Sequence, residues 1–320
     1  MKLVFCGTPR FAVPALEALC EAEHEIALVV TQPDRPVGRN RELTAPPVKL
    51  AALKAGLIVV QPEMIRENAE FRAQLEDLAP DAIVVVAYGR LIPPWMLALP
   101  RLGCINLHAS LLPRYRGAAP VQWAVANGDV FTGDTTMLLE EGLDTGPILL
   151  QRAFGIAPEL TAVELLDELA WGGATLMVKT LAGLEDGSIQ PRPQNHAAAT
   201  LAPILNREDG RMDFAARTAT ELKNRWRGFQ PWPGAFTALE GKKLIIHRMS
   251  VVDTSTFATA SAAEPGHIHV EGHRLFVACA QNTWLELVEV QLEGKKRLAA
   301  SEFLRGAALV DGTRLGAATP

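Results

Sequence analysis

Hydrophobic positions follow two different rhythms along the chain, and the change falls near residue 206. Leu3 to Cys6 is a short unbroken apolar run, which predicts a buried strand. Gly7-Thr8-Pro9 then predicts a tight turn into a helical stretch from about Arg10 to Cys20. Ile26 to Val30 and Leu57 to Val60 predict two further strands, and Asn68 to Leu78 a helix. Asp81 to Ala87 is the strongest strand pattern in the sequence, and Cys104 to His108 and Thr135 to Leu139 add two more. Fully apolar runs alternating with helical segments predict parallel strands covered on both faces.

Thr161 and Glu164 have capping-box spacing before Leu165, Leu166, Leu169, Leu176 and Met177, which recur at helical intervals. Periodicity then fails from Gly183 to Pro203, where Pro191, Pro193 and Pro203 suggest a linker. Thr218 and Glu221 repeat the capping-box spacing ahead of Leu222, Trp226 and Phe229. After Pro231-Trp232-Pro233-Gly234 the pattern shortens to strand-length runs at Lys243 to His247, Arg274 to Ala278 and Thr283 to Val288. Such spacing predicts a small barrel. The expected fold is therefore α/β: a Rossmann-like domain over residues 1–182, a linker over 183–206, and a C-terminal small β-barrel, OB-like, over 207–320.

A length of 320 residues suits two domains, and 48% hydrophobic residues supply cores for both without staples. The net charge of −5 conceals an asymmetry. Up to Asn206 there are 16 Lys and Arg against 23 Asp and Glu, giving −7; beyond it there are 15 against 13, giving +2. The later part also holds four of the seven histidines. Separate tasks for the two parts follow, with the second better suited to a polyanion. Cys6, Cys20, Cys104 and Cys279 show neither C-x-x-C nor metal-ligand spacing, and a reducing compartment fits them. The opening apolar run is too short for a secretory signal, and no uninterrupted stretch of about 18 apolar residues occurs. The cytoplasm is the expected location, with no membrane partner.

Gly7-Thr8-Pro9-Arg10-Phe11 stands where a nucleotide-binding fold places its glycine loop. It has one glycine and a proline, so a plain strand-to-helix turn is the better reading. Asn106-Leu107-His108 is more informative. Residues i and i+2 of a strand share a face, so a carboxamide with two donors lies beside a titratable imidazole at a strand end. Asp144, in the loop Gly142-Leu143-Asp144-Thr145-Gly146 after another strand, is placed to accept a hydrogen bond from His108 and set its tautomer.

These residues carry a resemblance. Asn106-x-His108, the stretch Ser110-Leu111-Leu112-Pro113 to Arg116-Gly117-Ala118-Ala119-Pro120, and Gly142 to Gly146 resemble the folate-dependent formyltransferase superfamily. Phe5 to Phe11, Gln32-Pro33-Asp34-Arg35-Pro36, Gly38-Arg39, Glu208 to Arg211, Pro231 to Ala235, Glu293 to Arg297 and Phe303 to Gly306 extend it over nearly the whole chain, toward members that formylate methionine on initiator tRNA. The resemblance implies 10-formyltetrahydrofolate as co-substrate and no metal. It implies Asn106, His108 and Asp144 as catalytic residues: an oxyanion donor, a proton relay and the group that orients it. It places Ser110, Leu111, Leu112 and Pro113, with Tyr88, Gly89, Arg90 and Leu91, around the folate. It also lays the long connection from Thr31 to Lys49, with Arg35, Arg39, Arg41 and Lys49, against the acceptor end of the tRNA. Glu42 departs from the more basic run usual in that loop. Lys223 and Arg227, four apart on one helix face, read by default as a solvated basic face, and the barrel that follows makes RNA contact a second reading. A monomer suffices for these surfaces. Two alternatives keep the same residues: a formyltransferase acting on a nucleotide-linked amino sugar, and a non-enzymatic folate- or RNA-binding protein.

Overall fold

The computed structural model describes residues 1–38, 41–253, 263–307 and 309–316. The chain forms two compact units. The first comprises Met1–Val121, Phe131–Ile156 and Glu164–Pro203; the second comprises Gln122–Val130, Ala157–Val163 and the chain from Ile204 onward.

In chain order the elements begin β1 (Lys2–Gly7), α1 (Val13–Glu21), β2 (Glu25–Val30), β3 (Arg35–Val37), β4 (Glu42–Thr44) and α2 (Pro47–Lys54). They continue β5 (Val59–Val60), α3 (Ala69–Leu78), β6 (Ala82–Val86), α4 (Pro94–Leu97), β7 (Cys104–His108), α5 (Pro120–Ala126), β8 (Phe131–Leu138), β9 (Ile148–Gly155) and α6 (Ala162–Glu185). One sheet orders the strands β5-β2-β1-β6-β7-β8-β9. From β5 to β7 all neighbours are parallel. The central strands are apolar on both faces because both faces are covered. Leu3, Phe5, Val84 and Val86 pack with α1 and α6, while Val4, Cys6, Ile83 and Val85 pack with α3 and α4. The order of strand succession reverses between the parallel strands β1 and β6, so the connections leaving their carboxyl ends diverge, the place where open α/β sheets leave a crevice.

Two features differ from the sequence-based expectation. First, β8 runs antiparallel to β7, and β9 antiparallel to β8. A parallel neighbour needs a crossover helix packed on its own sheet. The helix between β7 and β8 is α5, and from Gln122 onward it belongs to the second compact unit. Second, the connection from Thr31 to Lys49 contains the short β3–β4 hairpin, paired from Arg35–Thr44 to Val37–Glu42.

One face of β8 carries a buried carboxyl. Asp134 is fully buried, with Arg152 Nη1 3.4 Å from its Oδ2. Arg152 reaches it because Gly172 of α6 lacks a side chain: a Cβ there would lie 1.1 Å from the guanidinium. Burial outweighs the attraction of Arg152 and pushes the Asp134 carboxyl up to about 8.

In the second unit, α7 (Ala219–Gly228) is followed by β10 (Phe236–Leu239), β11 (Lys242–Val252), β12 (Ile268–Glu271), β13 (Arg274–Cys279), β14 (Thr283–Leu292), β15 (Leu298–Ala299) and α8 (Ala300–Gly306). The strands pair antiparallel in the order β10-β11-β14-β13-β12, with β15 on β14. They wrap one core that includes Leu244, Ile246, Leu275, Leu285 and Leu287, with Leu222 of α7 and Phe303 of α8, in the small-barrel arrangement. The expected capping box opens α7. Thr218 Oγ1 accepts from the Glu221 N–H, and Glu221 Oε2 accepts from the Thr218 N–H at 2.7 Å.

Asp134 makes stability depend on pH. Its ordinary value is 3.8 and its folded value about 8, so at neutral pH the folded chain holds a proton that the unfolded chain releases. Its contribution is full below about 4 and is lost as pH rises through about 8. Thermal melts of Asp134→Asn from pH 5 to pH 9 should therefore fall less with pH than those of the unaltered protein. Parallel curves would remove Asp134 as the source.

Candidate active site

β7 delivers Asn106 and His108 to the face that also carries Cys104, and both are buried, at 9% and 6% exposure. In the ladder Asn106 lies between Val85 and Met137, and His108 is opposite Thr135. Leu107 points away into the core with Ala174 and Met177. Among the described residues the Asn106 carboxamide has no side-chain hydrogen bond, so its donors remain available to a ligand.

After β7 the backbone is folded into a rigid turn. The Ser110 N–H donates to the His108 carbonyl at 2.9 Å, and Ser110 Oγ donates to the Arg114 carbonyl at 2.7 Å. Thr135 Oγ1 donates to the Ser110 carbonyl at 2.6 Å and accepts from the Leu112 N–H at 3.1 Å. Gln151 Nε2 donates both to that hydroxyl and to the Leu112 carbonyl, at 3.0 and 2.9 Å. Held in this way, the turn presents the Tyr115 carbonyl to His108 Nε2 at 2.9 Å. A carbonyl only accepts, so Nε2 carries the proton.

The other ring nitrogen faces Asp144. Nδ1 lies 3.6 Å from Asp144 Oδ2, which also accepts the Gly117 N–H at 2.8 Å. Asp144 does follow a strand, but β8 is antiparallel, and Leu139 donates its N–H to the Cys104 carbonyl. The loop thus starts at the end of β7 away from His108 and doubles back, with Asp144 in the left-handed region at φ 50°.

The other expected folate-lining residues occupy mixed positions. The Ser110 hydroxyl is committed to Arg114, while Leu112 packs with Met137 and Ile148. Leu111 and Pro113 are half-buried. The Tyr88 ring belongs to the core, and burial raises its phenol above the usual value. Its carbonyl accepts from Thr8 Oγ1 at 2.9 Å and Gln32 Nε2 at 3.2 Å, joining the loops after β1, β2 and β6. Gly89 has φ 81°, Arg90 Nε donates to Gln32 Oε1 at 3.1 Å, and Leu91 is 84% exposed.

The six cations expected to meet tRNA divide by environment. Arg35 and Arg41 are exposed beside the β3–β4 hairpin, and Arg39 lies outside the described residues. Lys49 is half-buried and donates to both carboxylate oxygens of Asp34, at 2.9 and 2.8 Å. That bond and one from Gln61 hold the Asp34 carboxyl below the usual range. Lys223 donates to Glu159 Oε2 at 2.9 Å and to the Met249 carbonyl at 3.1 Å. Arg227 corrects the expectation of a solvated face: it is 4% exposed, and its guanidinium donates to the Leu160 carbonyl and to Asn224 Oδ1. Residues 157–163 belong to the second unit and cover that side of α7, which periodicity within α7 has no means of revealing.

Sequence reasoning passed over Tyr115, Thr135, Gln151 and Gln194. Thr135 reads as an ordinary strand residue, Gln151 falls outside every element the pattern predicts, and Gln194 falls in the aperiodic stretch. The partners of Thr135, Gln151 and Gln194 lie between 16 and 78 residues away, and Tyr115 lies 7 residues from His108 and 85 from Thr200. Among the described residues no group of three or more His, Cys, Asp and Glu side chains could hold a metal ion, and no helix is long and apolar enough to cross a membrane.

The chain belongs to the formyl transferase family. The family model for formyl transferase matches residues 1–181, and that for the formyl transferase C-terminal domain matches residues 204–308. The chain is 64% identical over 317 residues to the methionyl-tRNA formyltransferase of Acidobacterium capsulatum, covering 99% of this chain and 100% of that protein. It is 58% identical to the methionyl-tRNA formyltransferase of Koribacter versatilis, with 96% of each chain covered. In fold it is similar to an N-formyltransferase from Helicobacter canadensis solved with folinic acid and dTDP-3-aminofucose, with a TM-score of 0.64 at 17% identity, covering 90% of this chain and 98% of that one.

Thr135 is the residue on which the turn after β7 depends. Thr135→Val keeps its shape but leaves the Leu112 N–H and the Ser110 carbonyl without their partner, which should cost about 1–3 kcal/mol. Urea denaturation of the two proteins measures the difference, and an unchanged midpoint would show that the turn holds without this hydroxyl.

Proposed function

We propose that the chain transfers the formyl group of 10-formyltetrahydrofolate to the α-amino group of methionine on initiator tRNA, with Asn106, His108 and Asp144 as its catalytic residues. The observation that carries the assignment of roles is the setting of His108. Its ring is held between the Tyr115 carbonyl and the Asp144 carboxylate, beside the buried Asn106 carboxamide on the same face of β7. The substrate and co-substrate are supported by membership of the formyl transferase family and by the full-length similarity to proteins named methionyl-tRNA formyltransferase.

An α-amino group titrates near ~7.7–8.0, so a useful fraction is neutral and nucleophilic at physiological pH. As its nitrogen bonds to the formyl carbon, the bond from that carbon to the folate nitrogen breaks. One proton leaves the amine and one arrives at the folate nitrogen. With Nε2–H fixed on Tyr115, Nδ1 is the His108 atom that takes up and returns the proton, and Asp144 stabilises the charged ring. Asn106 donates to the oxygen on which negative charge develops. Backbone groups of Ser110 to Pro113 and of Tyr88 to Leu91 hold the folate, since the Ser110 hydroxyl is engaged within the turn. On the RNA side, Arg35, Arg39 and Arg41 meet phosphates, while Lys49 anchors the base of their connection through Asp34. One copy carries every residue named, so the working unit is taken as a monomer in the cytoplasm.

A nucleotide-linked amino sugar as acceptor would use the same three residues. The amino-sugar-bound H. canadensis enzyme shares 17% identity with this chain, against 64% for the A. capsulatum methionyl-tRNA formyltransferase. An intact Asn106, His108 and Asp144 set weighs against a non-enzymatic binding protein.

Purified protein given 10-formyltetrahydrofolate should formylate methionyl initiator tRNA and leave an amino-sugar nucleotide unmodified; the reverse would overturn the substrate. Asn106→Ala and His108→Ala should each lower kcat by about 10²-fold or more with little change in folate affinity. A variant with near-normal turnover removes that residue from the mechanism. Arg35→Ala combined with Arg41→Ala should raise KM for tRNA and flatten its salt dependence, because fewer counterions are released on binding. Unchanged KM at low and high salt would detach the hairpin from the tRNA.

A further inference from the structure

The stretch 186–203 follows α6 without helix or strand periodicity, yet its middle is held by specific hydrogen bonds. Arg192 and Ile148 exchange both backbone hydrogen bonds at 2.8 Å, which fixes the stretch beside the start of β9. Two residues on, Gln194 is 5% exposed. Its Nε2 donates to the carbonyls of Asp144 and Gly146, at 2.9 and 2.7 Å. Its Oε1 accepts from Arg116 Nη2 and Nε, at 2.7 and 3.1 Å. Both donors and both acceptor sites of this amide are therefore filled. Arg116 is itself buried, and its Nη2 lies 3.1 Å from His196 Nδ1. A guanidinium bonded to the amide oxygen polarises the amide and strengthens the N–H bonds that Gln194 gives to the Asp144 loop.

The same stretch also grips the other side of the imidazole. Thr200 Oγ1 accepts the Tyr115 N–H at 2.8 Å, the Thr200 carbonyl accepts the Arg116 N–H at 2.8 Å, and the Ala202 N–H donates to the Arg116 carbonyl at 2.7 Å. Gly117 permits this approach: its φ is +122°, and a Cβ there would lie 2.6 Å from the Ala202 carbonyl oxygen. The Gly117 N–H is the one that Asp144 accepts. Asp144 needs such support. Its loop doubles back from the far end of β7, and its left-handed backbone is one that a side-chain-bearing residue seldom adopts unaided.

We infer that Gln194, locked in place by Arg116, is a positioning residue for formyl transfer: it fixes the backbone at Asp144 so that the carboxylate faces His108 Nδ1. The inference rests on the catalytic reading of Asp144 and His108 given above. Gln194 touches neither substrate nor reacting atoms; it acts through Asp144 alone.

The test is Gln194→Glu, which keeps the oxygen that Arg116 binds and removes both N–H donors. The change is made in the unaltered protein and in Asp144→Asn, with kcat and both KM values measured. In the unaltered protein kcat should fall about tenfold to a hundredfold, as small misplacements of catalytic groups do, with KM values changed less than about twofold. In the Asp144→Asn background the same substitution should change kcat by less than about twofold, since two residues acting as one unit are not additive. Normal turnover in Gln194→Glu alone overturns the inference, and so does an equal fold-loss in both backgrounds. Normal turnover in Asp144→Asn overturns instead the catalytic reading beneath it, a separate result. Should the buried carboxylate prevent folding, Gln194→Met fills similar volume without donors and is held to the same outcomes.

Discussion

A buried imidazole keeps one orientation only if both of its nitrogens are told where to point, and for His108 that demand falls on two oxygens from outside the strand that bears it. His108 Nε2 meets the Tyr115 carbonyl at 2.9 Å and Nδ1 faces the Asp144 carboxylate at 3.6 Å. Neither oxygen would stay there through local preference. Tyr115 and Asp144 both have positive φ, at 61° and 50°. The turn bearing Tyr115 is held from below by Thr135 and Gln151, on β8 and β9, and from outside by Thr200. The loop bearing Asp144 is held by Gly117 and Gln194. Left-handed backbone at two side-chain-bearing residues costs free energy, and this ring of hydrogen bonds offsets it.

The antiparallel pair β8–β9 is what allows such a ring. A parallel strand beside β7 would have ended next to His108 and continued into a crossover helix. Because β8 runs the other way, Thr135 stands directly opposite His108, while the hairpin to β9 supplies a free loop long enough to return over the face. The two faces of β8 then differ in chemistry. Thr135 serves the turn after β7, whereas Asp134 lies under α6 with Arg152 and carries a carboxyl pushed up to about 8 by burial.

Counting formal charges gives a poor picture of the surface available to a polyanion. Lys49, Lys223 and Arg227 are engaged with Asp34, with Glu159, and with Leu160 and Asn224 respectively. Arg116 spends its guanidinium on Gln194. Desolvation is costly for a cation unless such partners replace water, so a buried arginine is held by the fold rather than offered to a ligand. Arg35 and Arg41 keep their exposure because the β3–β4 hairpin carries them outside the sheet.

Local pattern and short motifs were enough for the strands β1, β2, β6 and β7, the capping box of α7, the small barrel and the pairing of Asn106 with His108. Each depends on residues within a few positions of one another: unbroken apolar runs, i to i+2 alternation, or a cap three residues before its partner. The sequence by itself also determined the family, through motifs spread over nearly the whole chain. Tertiary structure alone decided the direction of β8, the return of the Asp144 loop, the burial of Arg227 and the place of Gln194 between Asp144 and Arg116. Gln194 illustrates the reason. It binds Asp144 across 50 residues and Arg116 across 78, in a stretch with neither helical nor strand periodicity. A hydrogen bond between distant segments leaves no period in the sequence, because the backbone geometry that brings the partners together is set by the packing of the whole unit.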